Sequence, residues 1–505
     1  MIYNALGIRL PQDRVDDTRL KAHVLESTGS LALKSLAKRH VDPRAGMLQD
    51  DLSDAMTKSG WTWATIPLDY EPFWSYGALD CVLTYQLDEY LDPRVRAEAP
   101  ASYDLELAVA WVCEQMERRG VLVDRDYTRG LADELRGYVE EAEVWCRSYY
   151  GVYPGSNQAV IRRLQRDGVE FTRYTNGGAI SLDKEVLAGI DHPLAQTVLG
   201  RRQAQKMVST YLDNYLTMSE RDGRIHPSIN TVGGMGKSPF EPGGSSGVRT
   251  GRMSSSNPNV QNVPTRGRIS RKIRKCFIPG EDNVWIKCDA DQIEMRMMAH
   301  MSGDQRMIDA FNSRDDFFVT IARELFDEPD FQKSDPRRQL VKNGGYAKIF
   351  GAGISKFAKT ANVSEDVARP FMRDFDAMFP DVVRWIRQIE RDGLARLTDE
   401  GDAYVRSPLT NRRHVADAGK LYTLVNFVIQ GTAGEVLKQK IVELDAAGLG
   451  EFMVFPVHDE IDLDVPRDRL DDVKTTLLDV VNDDKLLDVP LTWSADVGPS
   501  WGECS

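Results

Sequence analysis

The sequence predicts a multidomain fold that combines α/β and α+β parts, and three observations support this prediction. The chain has 505 residues, too many for one hydrophobic core and enough for about three or four domains. Long stretches of helical periodicity occupy the middle of the chain. Two short hydrophobic strands that end in acidic residues flank a further helical stretch in the C-terminal half. We therefore expect a sheet with a helical insertion between its strands.

The N-terminal part is expected to contain helices and loops. Residues 31–41 and 73–91 predict helices, the second ending near Pro93. Three amphipathic helices, at residues 105–120, 129–150 and 195–218, are predicted between about residues 100 and 220, where they would form an arm. A Gly/Ser/Pro-rich loop at residues 231–247 then indicates a domain boundary.

Composition indicates a folded protein of the cell interior. Hydrophobic residues make up 42% and charged residues 28%, as in ordinary globular proteins. The six cysteines lack CxxC spacing, which argues against a zinc site or a disulfide framework and favours a reducing cytoplasm. No apolar run is long enough to cross a bilayer, so we expect a soluble protein with no membrane partner.

The charge distribution allows a nucleic-acid partner despite a net charge of -13. A stretch without any acidic residue carries eight basic ones: Arg249, Arg252, Arg266, Arg268, Arg271, Lys272, Arg274 and Lys275. This basic stripe could bind phosphates, and a solvated basic surface is the alternative.

Two acidic segments place carboxylates at strand ends. The strand VWIKCD ends at Asp289, and the predicted hairpin of EFMVFPV and IDLDV has Asp459 and Glu460 at its tip. Magnesium prefers carboxylate oxygens, carbonyls and water, and phosphoryl transfer commonly uses two such ions. Asp289 and Asp459 are therefore the predicted catalytic metal ligands for two Mg²⁺ ions, which Mn²⁺ could replace, with the Ala290 carbonyl as a further ligand. Glu460 either supports these ligands or is merely solvated.

A cationic helix between the two acidic segments suits a nucleoside triphosphate. Arg338, Lys342, Tyr346 and Phe350 recur every four residues and so share one helix face. Arg338 could bind phosphate through its fork and Lys342 as a point charge. Core packing is the alternative for the two aromatic residues.

Two local signals describe this helix further. In the segment Ser334-Asp335-Pro336, Asp335 is the predicted N-cap residue of the helix and Pro336 is predicted to lie in its first turn. The pair Gly344-Gly345 lies inside it, where each glycine costs about 0.8–1 kcal/mol relative to alanine. A locally soft helix is therefore expected.

Five motifs in order make the chain resemble the A-family DNA polymerases of the polymerase I type, from about residue 100 to the end. They are TGRMSSSNPNVQNVP, CDADQIEMRMMAHMSGD, RRQLVKNGGYAKIFG, NFVIQGTAGEVLK and FPVHDE. The resemblance implies a template-directed DNA polymerase with a right-hand arrangement of palm, fingers and thumb. It would extend a primer with deoxynucleoside triphosphates (dNTPs) by two-metal-ion nucleotidyl transfer.

The same resemblance assigns domains. Residues 1–95 would be a partial 3′–5′ exonuclease-like, ribonuclease H-like remnant, and residues 96–245 the thumb with connecting helices. The palm would comprise residues 246–310 and 429–505, and the fingers residues 311–428.

Roles for further residues also follow from the resemblance. Arg338, Lys342, Tyr346 and Phe350 would contact the incoming nucleotide together with Gln292 and Glu294, and Glu294 would crowd the sugar 2′-position. Contacts with primer–template DNA are implied for Arg252, Asn259, Gln261, Gln430, His458, Lys206, Arg412 and Arg413. Phe318 stands where the family often has histidine, and Pro456 where it usually has glutamine, which predicts an edge strand or a bulge.

The exonuclease remnant is implied by Tyr76 and Asp80, which have the family's YxxxD spacing. The upstream DxE motif is missing, so proofreading by this chain alone is not expected. Either a separate exonuclease polypeptide completes the site or the sequence is truncated. A processivity factor and a helicase are further candidate partners.

Other functions remain open at this point. A single-subunit RNA polymerase or a reverse-transcribing relative would share the carboxylates and the RxxxK helix, and a silent clamp would bind DNA without catalysis. Glu294 and the FPVHDE hairpin favour DNA synthesis. A bacteriophage replication enzyme in the host cytoplasm is the expected source.

Overall fold

The computed structural model describes residues 11–26, 29–175, 177–232, 250–264, 268–313 and 315–504. Most of the predicted loop at residues 231–247 and its domain boundary lie outside these ranges. Arg249 and Arg266 of the basic stripe also lie outside them.

Described residues before position 120 form a helical region. Its α-helices are α1 (Thr18–Leu25), α2 (Leu33–His40), α3 (Met47–Ser59), α4 (Glu71–Glu98) and α5 (Pro100–Arg119). The prediction that a helix ends near Pro93 is wrong, because α4 continues through it to Glu98. Leu91 and Val95 on either side are buried, and this packing offsets the hydrogen bond that proline cannot donate. Helix α4 is therefore packed on the rest of this region over its full length and leads directly into α5.

The predicted helical arm follows. It contains β1 (Val121–Leu122), α6 (Arg125–Tyr150), α7 (Asn157–Arg166), α8 (Lys184–Gly189), α9 (Pro193–Met207), α10 (Asp213–Met218), β2 (Arg224–Ile225) and β3 (Ser228–Asn230). A π-helical turn at Val208–Leu212 separates α9 from α10, where the sequence predicts one continuous helix. Cys146, Val160 and Leu194 belong to a small core of the arm that is distinct from the main core.

A four-stranded antiparallel sheet lies in the C-terminal half, with the order β10-β5-β9-β8. The elements that build and precede it are β4 (Ser254–Ser256), α11 (Arg268–Arg274), β5 (Asn283–Ala290), β8 (Met453–Val457), β9 (Glu460–Pro466) and β10 (Trp493–Gly498). Pro456 lies on the edge strand β8, whose register shifts between Met453 and Phe455. This agrees with the predicted edge position of a proline, which cannot donate to the ladder.

Between β5 and β8 the chain is mainly helical. The elements are α12 (Ile293–Ser302), α13 (Gln305–Asn312), α14 (Phe317–Phe326), α15 (Arg337–Ile349), α16 (Ile354–Ala361), α17 (Glu365–Met378), α18 (Pro380–Glu400), β6 (Ala403–Arg406), β7 (Arg413–Ala416) and α19 (Thr423–Ala446). Helix α20 (Leu470–Val481) follows the sheet strand β9. Most of α19 is buried, as expected of a helix surrounded by other elements.

The two glycines of α15 lie at close helix contacts. A Cβ on Gly344 would lie 2.6 Å from the Phe371 ring of α17, and one on Gly345 would lie 2.8 Å from Met295 Sδ of α12. Both glycines are buried. The prediction of a soft helix is therefore replaced by a packing explanation, because only glycine lets α15 approach both neighbours.

Replacing Gly344 with alanine should lower the free energy of unfolding by up to about 2 kcal/mol, which is an overpacking cost of about 1–3 kcal/mol less a helix-propensity gain of about 1 kcal/mol. Gly345→Ala should cost less, because the Met295 side chain is more adaptable than the Phe371 ring. Urea denaturation measures both changes. Gly137→Ala is the matched control, because that helical glycine has no atom within 4 Å of a built Cβ and the variant should be stabilised. A stabilised Gly344→Ala variant would contradict the packing explanation.

Candidate active site

Strand pairing brings the two acidic segments together. Asp289 on β5 is paired with Glu460 on β9, and the Ala290 N–H donates to the Asp459 carbonyl at 3.0 Å. Directly opposed residues of an antiparallel pair have Cβ atoms about 5 Å apart. His458 has a positive φ of 57° in the two-residue turn His458-Asp459, which joins β8 to β9. The turn therefore presents Asp459 beside the end of β5.

The charges around Asp289 disfavour its ionised form in the absence of a cation. Desolvation and the negative charge of Glu460 raise the pKa of Asp289 to about 7, and Asp459 adds to the effect. Lys287 on the same strand acts in the opposite direction. A bound cation would relieve this repulsion.

Glu460 is held on its other side by aromatic and basic groups. Its Oε1 accepts a hydrogen bond from Trp501 Nε1 at 2.6 Å and lies 3.6 Å from Arg274 Nη1. The Arg274 guanidinium stacks on the Trp501 ring, 3.9 Å from its centroid. Glu460 is 6% exposed, so it is not a solvated surface acid, and its role as a support of the metal ligands stays a prediction.

Asp462 lies two residues after Glu460 on the same face of β9. It is fully buried and accepts a hydrogen bond from Trp285 Nε1 at 2.6 Å. Burial and the nearby Glu460 raise the pKa of Asp462 well above its usual range. Sequence reasoning missed this residue, although the alternation in EIDLDV places Glu460, Asp462 and Asp464 on one face of β9.

Arg252 connects two other predicted site residues. Its Nη2 donates to Glu294 Oε1 at 2.9 Å and lies 3.3 Å from Asp459 Oδ1. Gln430 Nε2 donates to the same Glu294 oxygen at 2.9 Å. Burial and then the negative charges of Glu294 and Asp459 raise the pKa of Tyr346. The structure thus gathers residues from four separate motifs around Asp459.

Gln292 directly precedes α12, the helix that carries Glu294. It has a positive φ of 56° immediately before α12. Its Oε1 is buried and has no hydrogen-bond partner among the described residues. An acceptor in this state is available to a donor on a bound molecule.

The cationic helix α15 differs in detail from the prediction. It begins at Arg337, so Pro336 lies just before it, and Asp335 accepts a hydrogen bond from the Arg337 N–H at 2.8 Å. It ends at Ile349, which places Phe350 beyond the helix and 40% exposed. The Phe350 N–H still donates to the Tyr346 carbonyl at 3.0 Å. The helix face therefore carries Arg338, Lys342 and Tyr346, whereas the prediction that Phe350 shares it is wrong.

Arg338 and Lys342 flank a buried phenylalanine. The Arg338 fork makes a bidentate pair with Asp316 at 2.6 and 2.9 Å. The Arg338 guanidinium and the Lys342 ammonium lie 5.5 and 5.9 Å from the centre of the Phe318 ring. The Lys342 ammonium is also 6.0 Å from the Tyr346 ring. Asp316 uses Arg338 Nε and Nη2, so Nη1 takes no part in this ion pair.

The structure gives Arg412 another role than the predicted template contact. This side chain is 1% exposed and pairs with Glu106, while its Nη2 contacts His23 Nδ1. A buried arginine cannot reach a template strand in this conformation. Arg413 is partly exposed, bonds Asp402 at 2.9 Å and stacks on the Tyr404 ring.

The other predicted DNA contacts fall into two groups. Asn259, His458 and Lys206 are exposed. Gln261 is 9% exposed and donates to the Pro456 carbonyl at 3.4 Å, so it also ties its motif to β8. Their contacts with DNA remain predictions.

Several residues of the basic stripe have acidic partners within the chain. Lys272 pairs with Glu134 at 2.6 Å, and Lys275 pairs with Glu503 at 2.6 Å. Together with Arg274, they are partly neutralised, so the stripe is less cationic than the sequence suggests.

Tyr76 and Asp80 lie one turn apart on α4. Asp80 pairs with Lys34, whose ammonium is 4.8 Å from the centre of the Tyr76 ring. Burial and the charge of Asp80 raise the pKa of Tyr76 to about 12. The Asp80 carboxylate is thus occupied by a lysine in this structure.

A family model for DNA polymerase family A matches residues 156–503. The chain belongs to DNA polymerase family A. The resemblance seen in the sequence motifs is therefore confirmed. Members of this family use divalent metal ions.

Individual relatives agree with the family. DNA polymerase I of Chloroflexus aurantiacus is 31% identical over 458 residues, covering 85% of this chain and 46% of the relative. A DNA polymerase of Mycobacterium phage D29 is 25% identical over 454 residues, covering 88% of this chain and 70% of the relative. The chain spans about half the length of the DNA polymerase I proteins that it matches.

A solved structure supports the fold of this family A chain. It is described as the POL domain of Pol1 from M. smegmatis in complex with DNA primer-template and dNTP. It has a TM-score of 0.78 at 24% identity and covers 99% of this chain and 84% of the other. The predicted right-hand fold of palm, fingers and thumb is confirmed. Among the described helices of the family A chain, none has the length and apolar character needed to cross a membrane.

Proposed function

We propose that the chain is a template-directed DNA polymerase that extends a primer 3′ end with dNTPs. The observation that carries the proposal is the pairing of β5 with β9, which places Asp289 beside Asp459. Arg338 and Lys342 on α15 supply cationic groups suited to a triphosphate, and Tyr346 lies one turn further along the same helix. The primer-template and dNTP in the similar M. smegmatis structure support the same assignment.

The residues present fit a pair of divalent cations, which we take to be Mg²⁺, with Mn²⁺ as a substitute. Asp289 and Asp459 would hold them, with the Ala290 carbonyl as a further ligand. Among the described residues, no cluster of three or more acidic, histidine or cysteine side chains could hold a metal. Magnesium sites in phosphoryl-transfer proteins commonly use one or two carboxylates together with waters and substrate phosphates. The ions would stabilise charge on the attacking and leaving oxygens.

The chain's own residues would bind and orient the substrates. Arg338 and Lys342 would bind the triphosphate through charge-assisted hydrogen bonds. Glu294, fixed by Arg252 and Gln430, would occupy the space that a ribose 2′-hydroxyl needs. Gln292, whose Oε1 has no hydrogen-bond partner among the residues that the structure describes, would accept a hydrogen bond from the nucleotide or from an ordered water.

The domain assignment from the sequence is part of the proposal. Residues 246–310 and 429–505 would form the palm, residues 311–428 the fingers and residues 96–245 the thumb with its connecting helices. Residues 1–95 would be the exonuclease-like remnant. The phage D29 polymerase among the relatives supports a role in phage DNA replication in the host cytoplasm.

Magnesium binding should depend on pH through Asp289. Its carboxyl has a pKa of about 7 without metal, so below pH 7 a metal ion must displace a proton. The apparent affinity for Mg²⁺ should therefore fall as the pH drops below about 7 and level off above it. Isothermal titration calorimetry in buffers of different ionisation enthalpy should show proton release at pH 6.5 and little at pH 8.5. Equal proton release at both values would contradict this ligand assignment.

Primer extension tests the proposed function. With Mg²⁺, the protein should extend a DNA primer on a DNA template with dNTPs and should incorporate ribonucleotides poorly. Preferred use of ribonucleotides would favour an RNA polymerase, and preferred copying of RNA templates a reverse transcriptase. Tight binding of primer–template without extension under either metal ion would favour a clamp. The unmodified chain should be assayed both alone and with an added 3′–5′ exonuclease.

A further inference from the structure

Four side chains from distant parts of the chain form a buried polar cluster, named here the His23 cluster. The cluster contains His23 of α1, Glu106 of α5, Arg412, which directly precedes β7, and Lys438 of α19. Each of the four side chains is at most 1% exposed. Arg412 and Lys438 both donate to Glu106 Oε1, and Arg412 Nη2 also contacts His23 Nδ1. Buried charges of this kind persist only when they are paired and hydrogen-bonded.

The protonation state of His23 suits an acceptor. Burial and the charges of Arg412 and Lys438 lower its pKa well below the usual range. The neutral ring can therefore accept a hydrogen bond from the arginine through Nδ1. Arg412 Nε already lacks a partner among the described residues, so His23 provides one of the few acceptors for this guanidinium.

Two members of the His23 cluster lie against the backbone of the turn before Arg252. Lys438 Nζ donates to the Gly251 carbonyl at 2.7 Å. Gly251 has a φ of 72°, and a Cβ built on it would lie 2.9 Å from Arg412 Cζ. The turn is thus hydrogen-bonded by Lys438 and lies close to the Arg412 guanidinium.

Arg252 follows this turn directly and reaches the candidate active site. It bridges Glu294 and Asp459, at 2.9 and 3.3 Å. A Cβ on Gly434 of α19 would come within 3.3 Å of Arg252 Cγ, so the stem of the arginine lies close against that helix. Its direction therefore depends on where the turn is held.

We propose that His23 is a positioning residue for the active site, acting with Glu106 through Arg412 and Lys438 on Gly251 to aim Arg252 at Asp459 and Glu294. Both His23 and Glu106 precede the segment 156–503 that the family model matches. The N-terminal helical region thus contributes to synthesis without touching a substrate. This inference rests on the proposed polymerase function.

The test uses three variants of the full chain. His23→Leu removes the acceptor, His23→Asn keeps one, and Tyr103→Phe is the matched control. Tyr103 is buried at the same α1–α5 interface and bonds Asp16 and Asp17, away from Arg252. All assays are run well below each variant's melting temperature.

His23→Leu should lower kcat for primer extension about tenfold, while the Kd for primer–template stays nearly unchanged. His23→Asn should recover most of the loss, and Tyr103→Phe should lower the melting temperature without changing kcat. In an Arg252→Ala background, His23→Leu should cause no further loss, because the affected residue is already absent. Amide hydrogen exchange at residues 250–253 should rise in His23→Leu but not in Tyr103→Phe.

A multiplied loss in the Arg252→Ala background, or an unchanged kcat in His23→Leu, would overturn the inference. If His23→Leu does not fold, His23→Phe takes its place, because its ring fills a similar volume and also lacks an acceptor. If the wild-type protein extends no primer, the proposed function fails. The hydrogen-exchange comparison then decides the inference alone, and unchanged exchange at residues 250–253 overturns it.

Discussion

Replacing Asp289 with asparagine should lower kcat for primer extension by about three orders of magnitude or more, because it removes a ligand of the metal ions that stabilise the transition state. The same change should raise stability at pH 8 without metal. The folded protein raises the pKa of this carboxyl to about 7, so keeping it ionised above that pH costs free energy of folding. Its protonated form favours folding at low pH, and that contribution is lost as the pH rises through 7.

Opposite effects on activity and stability separate a catalytic role from misfolding. Single-turnover extension measures the first effect, and thermal unfolding at pH 8 and pH 4 measures the second, with the stabilisation expected only at pH 8. Asp464→Asn is the control, because Asp464 lies on the same face of β9 as Glu460, the residue paired with Asp289. Asp464 accepts hydrogen bonds from Gly280 and Asn283 at the far end of the strand, so its loss should affect stability alone. Nearly full activity in Asp289→Asn would contradict the proposed chemistry.

Removing the charge of Arg338 or Lys342 should raise KM for the incoming dNTP by about tenfold to a hundredfold. A hydrogen bond to a charged group contributes about 1.5–3 kcal/mol, which corresponds to that range. Methionine keeps much of the side-chain length, so Arg338→Met and Lys342→Met test the charge. Steady-state kinetics with a saturating primer–template measure the change.

Lys348→Met provides the matched control on the same helix. Lys348 pairs with Asp376 of α17, and its loss should leave KM for dNTP nearly unchanged. An equal increase in KM for all three variants would indicate a general effect of charge on α15. It would contradict a specific triphosphate contact.

The sequence alone predicted the parts of the site that depend on local pattern. A hydrophobic strand ending at Asp289 and a hairpin with Asp459 at its tip follow from two-residue alternation and turn signals. The spacing of Arg338, Lys342 and Tyr346 places them on one helix face. The edge position of Pro456 follows from its missing N–H.

Tertiary packing decided the features that the sequence did not predict. Gly344 and Gly345 look like soft points in the sequence, but the rings and thioether that touch them come from other helices. Arg412 looks like a surface cation, yet Glu106 lies 306 positions away in the chain. The support of Glu460 by Trp501 is likewise non-local. Such pairings leave no periodic signal in a single sequence.

The most direct test of the central claim is a structure of the complex with Mn²⁺, a dideoxy-terminated primer–template and the next correct dNTP. Anomalous scattering would locate the metal. We expect two Mn²⁺ peaks, each bound by Asp289, Asp459 or both, with the triphosphate against Arg338 and Lys342. A bound triphosphate whose metal ions contact neither aspartate would contradict the central claim.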